Sequence, residues 1–223
     1  MKKDIRKQYD SFAQDFSINQ KEQNQINRNV MYEFVGKDLK DKKVLDLACG
    51  DGIDVNYYQG LGAEVIGIDA SKELIDIAEK KYPECKFDVG LAEELPYKKE
   101  TFDAVYSKYA IMTSRDMKPI FDEVYRVLKQ GGEFIYLVTH PMRQFFERRL
   151  LDDDYFVQTE VACNILNKTV SLIEPTHTFN EYFNVDFLSK FEVLDFIEVF
   201  DPAAESIYGA RYPGFFVVKA RKK

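Results

Sequence analysis

The stretch KVLDLACGDGIDV, residues 43–55, followed by EVIGID at 64–69, decides the fold. KVLDLA is a short, mostly apolar run of the kind that forms a strand covered on both faces. It runs straight into a turn carrying Gly50 and Gly52, where a helix is expected to begin. Glycines at such a turn let a ligand approach the main chain closely, and the start of a helix adds free amide groups. A nucleoside-type ligand is implied. EVIGID ends in Asp69, nineteen residues after Gly50. A carboxylate at the end of a second strand can accept hydrogen bonds from both hydroxyls of a ribose.

Outward from this pair, strands alternate with stretches of helical period, the pattern of βαβ units and a parallel sheet. CKFDV at 85–89, FDAVYS at 102–107 and EFIYLVT at 133–139 complete five parallel strands. Met117, Ile120, Phe121, Val124, Val127 and Leu128 share one stripe of a helix that Gly131 and Gly132 are expected to stop. Ser71 is an N-cap for a helix carrying Leu74, Ile75 and Ala78, which ends near Tyr82-Pro83. Thr178 and Glu181 are spaced as a capping box, and EVLDFIEVF at 192–200 and GFFVVKA at 214–220 read as two closing strands joined by a hairpin. The expectation is an α/β, doubly wound, mostly parallel seven-stranded sheet with helices on both faces and a small lid insertion. The chain is read as one domain: 1–40 a helical cover packed across the sheet's edge, 41–140 the ligand-binding core, 141–190 the lid, and 191–223 the closing strands.

With 223 residues, 45% of them apolar, the chain is long enough to bury a substantial core and too short for two typical domains. Acidic residues exceed basic ones, for a net charge of −7, which disfavours a broad surface for nucleic-acid phosphates and favours small-molecule partners. The longest apolar runs, such as FIYLV at 134–138, fall far short of a bilayer span. Cys49, Cys85 and Cys163 are too scattered for a disulfide framework or a metal site, and MKKDIRKQYDSF lacks an apolar segment behind its charges. These features predict a reduced, cytoplasmic protein without a metal. Oligomeric state is not legible.

Two ligand classes compete for the glycine turn. A dinucleotide site wants a third glycine where Val55 stands and offers a helix start to a diphosphate, which Asp51 would repel. Asp46 and Asp54 add negative charge, which suits a ligand carrying a sulfonium and an ammonium group, as S-adenosylmethionine does.

In order along the chain, VLDLACGDG, VIGIDAS, GLAEELP, FDAVYSKYAIM and VLKQGGEFIYLV resemble the motifs of class I S-adenosylmethionine-dependent methyltransferases. YDSFAQDF and FFVVKARKK resemble the family's cofactor-covering segment and final strand. The resemblance implies a Rossmann-like fold and methyl transfer to a small molecule. It places Asp46 beneath the loop, Ala48, Cys49 and Gly50 along the methionine half, and Asp69 with Ala70 on the ribose. Leu91, Ala92 and Glu93 fall near the adenine, and Ser107 and Tyr9 at the methionine end. Ala48 stands where the family usually has its first glycine. Leu91 stands where an aspartate commonly meets the adenine amino group, so this sequence lacks that side-chain contact, while the backbone amide of Ala92 is placed to meet a ring nitrogen and Leu91 to lie against the base.

Each reading has a plainer rival. Tyr9, Phe12 and Phe16 also suit an ordinary core face, Asp46 a structural role, and Cys49 a small buried filler. His140 follows the fifth strand's carboxyl end and is the candidate base for removing a proton from the acceptor, with Tyr109 beside it; a histidine before proline also serves simply to shape a pocket. His177 reads as a loop residue. Phe145 to Phe183 mixes aromatics with Arg143, Arg148 and Arg149, as a lid over substrate or as a solvated helix. A nicotinamide-dependent oxidoreductase and a non-catalytic S-adenosylmethionine-binding module remain the rival functions.

Overall fold

The computed structural model describes residues 5–23, 25–148, 154–165, 170–201, 209 and 211–223. KVLDL forms β1 (Lys43–Leu47) after three helices, α1 (Ile5–Ser11), α2 (Ala13–Gln23) and α3 (Gln25–Val35). The crossovers then follow in order: α4 (Ile53–Gly60), β2 (Glu64–Asp69), α5 (Lys72–Lys81), β3 (Lys86–Val89), β4 (Phe102–Lys108), α6 (Lys118–Val127) and β5 (Leu128–Thr139). Beyond β5 come α7 (Pro141–Arg148), β6 (Glu160–Ile165), β7 (Val170–Pro175), α8 (Phe179–Tyr182), α9 (Val185–Lys190), β8 (Phe191–Val199) and β9 (Phe215–Lys222).

The seven-stranded sheet has the order β3-β2-β1-β4-β5-β9-β8, with β1 to β5 parallel and β9 antiparallel between β5 and β8. Successive side chains leave a strand on opposite faces, and an irregularity between Phe102 and Ala104 shifts that alternation, so β4 feeds two cores. Phe102 and Val105 join Ile120, Phe121 and Val124 of α6 and Phe187 of α9, whereas Ala104 and Tyr106 join Met31 of α3, Val55 and Tyr58 of α4 and Ile75 of α5. Helices therefore cover both faces. The expected N-cap holds: the Ser71 hydroxyl accepts from Leu74 N–H. So does the Thr178–Glu181 capping box.

Three expectations change. Helix α6 ends at Val127, and the glycine pair falls inside a longer β5, where a Cβ on Gly132 would lie 2.9 Å from the Lys129 carbonyl. The N-terminal cover is not an edge element: α3 packs on a face of the sheet against β5 and β9, and α1 and α2 lie over α5, with α1 also touching β7. The run at 155–173 holds a separate antiparallel hairpin, β6–β7, pairing Val161 with Glu174 and Cys163 with Leu172. Arg149 and the side chain of Arg148 lie outside the described residues.

Candidate functional site

At the carboxyl ends of β1, β2 and β4 a cavity of about 400 Å³ opens beneath α1 and the β6–β7 hairpin, within the range that ligand sites occupy. The glycine turn builds its floor. Ala48 and Gly50 both take left-handed backbone, φ 61° and 57°, a conformation that costs an alanine about 1 kcal/mol. The Asp69 carboxylate holds the turn in place by accepting from Gly50 N–H (2.9 Å) and Ser71 N–H (2.8 Å). Burial raises its pKa, an effect these amides oppose. Asp46, Ala48, Cys49, Gly50, Asp69 and Ala70 all line the cavity, as do Leu91, Ala92 and Glu93 beyond β3.

Asp46 is the most consequential. It is 4% exposed, and its Oδ2 finds no hydrogen-bond partner among the described residues. Burial, then the neighbouring Asp54, pushes its pKa well above the ordinary carboxylate value. A buried carboxylate oxygen left unsatisfied on a cavity wall is costly to the free protein and is relieved by a cationic ligand. The donor set thus fits S-adenosylmethionine. Cys49 is buried and its thiol pKa raised, chiefly by burial, which keeps it protonated and inert as a nucleophile.

The other acids of the turn are spent elsewhere. Asp51 is fully buried away from the cavity, accepting from Ser17 Oγ (2.9 Å) and Lys81 Nζ (2.7 Å). It does not face a ligand, so it does not repel a diphosphate as its position in sequence suggested. Asp54 is tied to Lys108, to Arg28 and to the Tyr32 hydroxyl (2.6 Å). Burial alone would raise its pKa, but Lys108 and Arg28 hold it below the ordinary value. Gly52 also turns from the cavity: a Cβ there would lie 2.7 Å from the Phe87 ring, so its bareness serves packing.

Tyr9 lines the cavity from α1, its phenol pushed up by burial and then by Glu174 and Asp69. Tyr109 lines it from the end of β4, at φ 56°, and its hydroxyl accepts from Asn27 Nδ2 (2.7 Å). Ser107 stops short of the wall, its hydroxyl buried without a partner among the described residues, and Lys108 reaches the cavity instead. His140 is placed for a different role from the proposed base. It is absent from the cavity wall, packs on Phe179 and Phe216, and uses both ring nitrogens: Met142 N–H donates to Nδ1 (3.0 Å), so Nε2 carries the proton donated to Glu198 Oε1 (2.7 Å). His177 likewise bonds the Met112 carbonyl (3.0 Å) and Glu181.

Sequence reasoning passed over Asn27, Lys108, Leu172, Glu174 and Asp201, which also reach the wall. The alternation Val170, Leu172, Glu174 on β7 was the one available signal, since it sets a carboxylate in an apolar row.

Residues 45–136 match the methyltransferase domain family. An uncharacterized methyltransferase of Synechocystis is 36% identical over 129 residues, 56% of this chain and 61% of that protein. A demethylmenaquinone methyltransferase of Chlorobaculum parvum is 36% identical over 94 residues, 42% of this chain and 39% of that one. The chain thus spans about half the length of the curated relatives it matches. The crystal structure of an S-adenosylmethionine-dependent methyltransferase from Mesorhizobium loti superposes with a TM-score of 0.71 at 20% identity, covering 92% of this chain and all of the other. That likeness is one of fold.

Proposed function

We propose that the chain is a class I S-adenosylmethionine-dependent methyltransferase, as the match of residues 45–136 to the methyltransferase domain family supports, and that it transfers a methyl group from S-adenosylmethionine to a small-molecule acceptor held under the β6–β7 hairpin. The observation that carries this reading is the unpartnered Asp46 oxygen on the wall that Asp69 also lines. The sulfonium supplies an activated methyl group. The protein's part is to align the two reactants and exclude water, which is worth several orders of magnitude in rate. Asp69 and Ala70 meet the ribose, Leu91 to Glu93 flank the adenine, Asp46 faces the positively charged half, and Tyr9 with Tyr109 borders the acceptor.

The acidic balance of the chain and relatives named for demethylmenaquinone support a small acceptor. Among the described residues no helix is long and apolar enough to cross a membrane. Three free cysteines, two of them buried, suit a reducing, cytoplasmic setting.

Calorimetric titration tests the reading. The protein is expected to bind S-adenosylmethionine and its demethylated product, and Asp69→Ala to bind both about 10- to 100-fold more weakly, the worth of hydrogen bonds to a charged group. Equal affinities in the two proteins, or binding of NADH in preference to either compound, would overturn it.

A further inference from the structure

Two carboxylates converge on Ser71, the N-cap of α5, and only one of them lines the cavity. Ser71 N–H donates to Asp69 Oδ1 (2.8 Å), and Asp69 Oδ2 accepts from Gly50 N–H (2.9 Å). From α1, Asp10 Oδ1 accepts from the Ser71 hydroxyl (2.6 Å) and lies 3.4 Å from the Glu73 nitrogen in the first turn of α5. Asp69 and Ser71 line the cavity, whereas Asp10 does not. A second acid beside Asp69 has an electrostatic cost: burial raises the Asp69 pKa, the Ser71 and Gly50 amides oppose the rise, and Asp10 adds to it.

The fold has little structural need of that second acid. Helix α5 is already capped, since the Ser71 oxygen accepts from Leu74 N–H (3.2 Å). Helix α1 is anchored independently: Gln8 bonds both backbone groups of Ile173, and Tyr9, Phe12 and Phe16 pack against Cys163, Val170 and Leu172. What Asp10 fixes is the direction of one proton. A serine hydroxyl has a single hydrogen to give, and with that hydrogen on Asp10 the buried Ser71 offers the cavity no O–H donor. It can turn neither toward Asp69 nor toward a ligand oxygen. Asp69 is then met by backbone amides, and its remaining lone pairs are left for donors from the cavity.

We propose that Asp10 is a positioning residue for the ribose of the cofactor: by taking the Ser71 hydroxyl proton it keeps the serine from competing for Asp69, so that this carboxylate receives both ribose hydroxyls. The inference rests on the methyltransferase reading, in which Asp69 meets the ribose, and names a residue off the cavity wall that sets how strongly those hydroxyls count. A ligand with both hydroxyls gives Asp69 two charge-assisted hydrogen bonds, whereas a ligand without them leaves the carboxylate facing carbon. Asp10 acts on that difference and not on the base or the methionine half.

The test compares S-adenosylhomocysteine with its 2′,3′-dideoxy analogue by calorimetric titration at pH 7 and needs no acceptor. The wild type is expected to bind the parent compound about tenfold or more tighter than the analogue. In Asp10→Ala that ratio should fall below about threefold, while affinity for the analogue stays within about twofold. Adding Ser71→Ala to Asp10→Ala removes the competing hydroxyl and should restore the ratio, a recovery that a merely structural role for Asp10 would not give. Gln8→Ala, which loosens α1 from β7 without touching Ser71, should leave the ratio unchanged. A ratio that survives Asp10→Ala, a proportional loss of both ligands, no recovery in the double variant, or the same fall in Gln8→Ala overturns the inference while leaving the methyltransferase reading intact. Failure of S-adenosylhomocysteine to bind, or a wild-type ratio that persists in Asp69→Ala, sinks the cofactor site of that reading and this inference with it.

Discussion

His140 shows how much a residue's role depends on which way its ring turns. At the end of β5 it sits on the edge where ligands gather, yet its ring lies against Phe179 and Phe216, and Glu198 of β8 holds its Nε2. Burial lowers its pKa, and Glu198 opposes that shift only in part. The folded state therefore binds a proton on this ring less readily than the unfolded chain, whose histidine titrates near about 6.5. Stability attached to His140 is present at neutral pH and falls as the pH drops below that value. Urea midpoints measured at pH 7.5 and pH 5.5 should decline more in the wild type than in His140→Gln, which keeps a donor toward Glu198. Parallel declines would show that the ring does not titrate between the two states. The Gly50 and Gly52 pair teaches the same lesson: both read alike in sequence, but only Gly50 lines the cavity, and Gly52 clears the Phe87 ring. Which side of a turn lacks its Cβ is a tertiary fact, and spacing alone does not hold it.

At the scale of elements, α1 is the piece that ties the segment after β2 to the β6–β7 hairpin. Gln8 uses its side-chain amide as a strand would: Oε1 accepts from Ile173 N–H (2.9 Å) and Nε2 donates to the Ile173 carbonyl (3.2 Å), so part of the open edge of β7 is satisfied. Two residues on, Asp10 accepts from the Ser71 hydroxyl (2.6 Å), and Ser71 N–H donates to Asp69. Each hydrogen bond is worth about 1 kcal/mol net, and an unsatisfied edge amide costs more. Gln8→Ala is expected to speed hydrogen exchange at the Ile173 amide by about tenfold while leaving the amides of β1 and β4 unchanged. An unaltered Ile173 rate would mean that α1 does not hold the hairpin. Strands β1 to β5 were legible because doubly covered strands leave apolar runs between crossovers. The hairpin was not, since β6 and β7 form a two-stranded sheet of their own, and Glu174 interrupts the apolar row that would have marked its inner face.

At the scale of the whole molecule, the fold keeps a buried carboxylate oxygen, Asp46 Oδ2, that no described residue bonds. Asp51 and Asp54, buried beside the same turn, are neutralised by Lys81, Lys108 and Arg28. The sequence alone could count these acids but not pair them, because their partners come from α5, β4 and α3. Asp46 is left with an orphaned Oδ2 and a raised pKa. A raised value means that the folded protein holds this proton more tightly than the unfolded chain, whose aspartate titrates near about 3.9. Stability is then highest below that pH and is lost as rising pH ionises the buried group. Asp46→Asn removes the charge and keeps the shape. It should stabilise the ligand-free protein at pH 7 by about 1–3 kcal/mol, seen as a rise in melting temperature of about 2–10 °C, with a smaller gain at pH 4. The same variant should bind S-adenosylmethionine about 10- to 100-fold more weakly, because the cation loses its counter-charge. Ligand saturation should therefore raise the wild-type melting temperature more than the variant's. A variant that melts no higher than the wild type and binds as tightly would show that Asp46 is satisfied within the fold, and the electrostatic case for the cofactor site would fall with it.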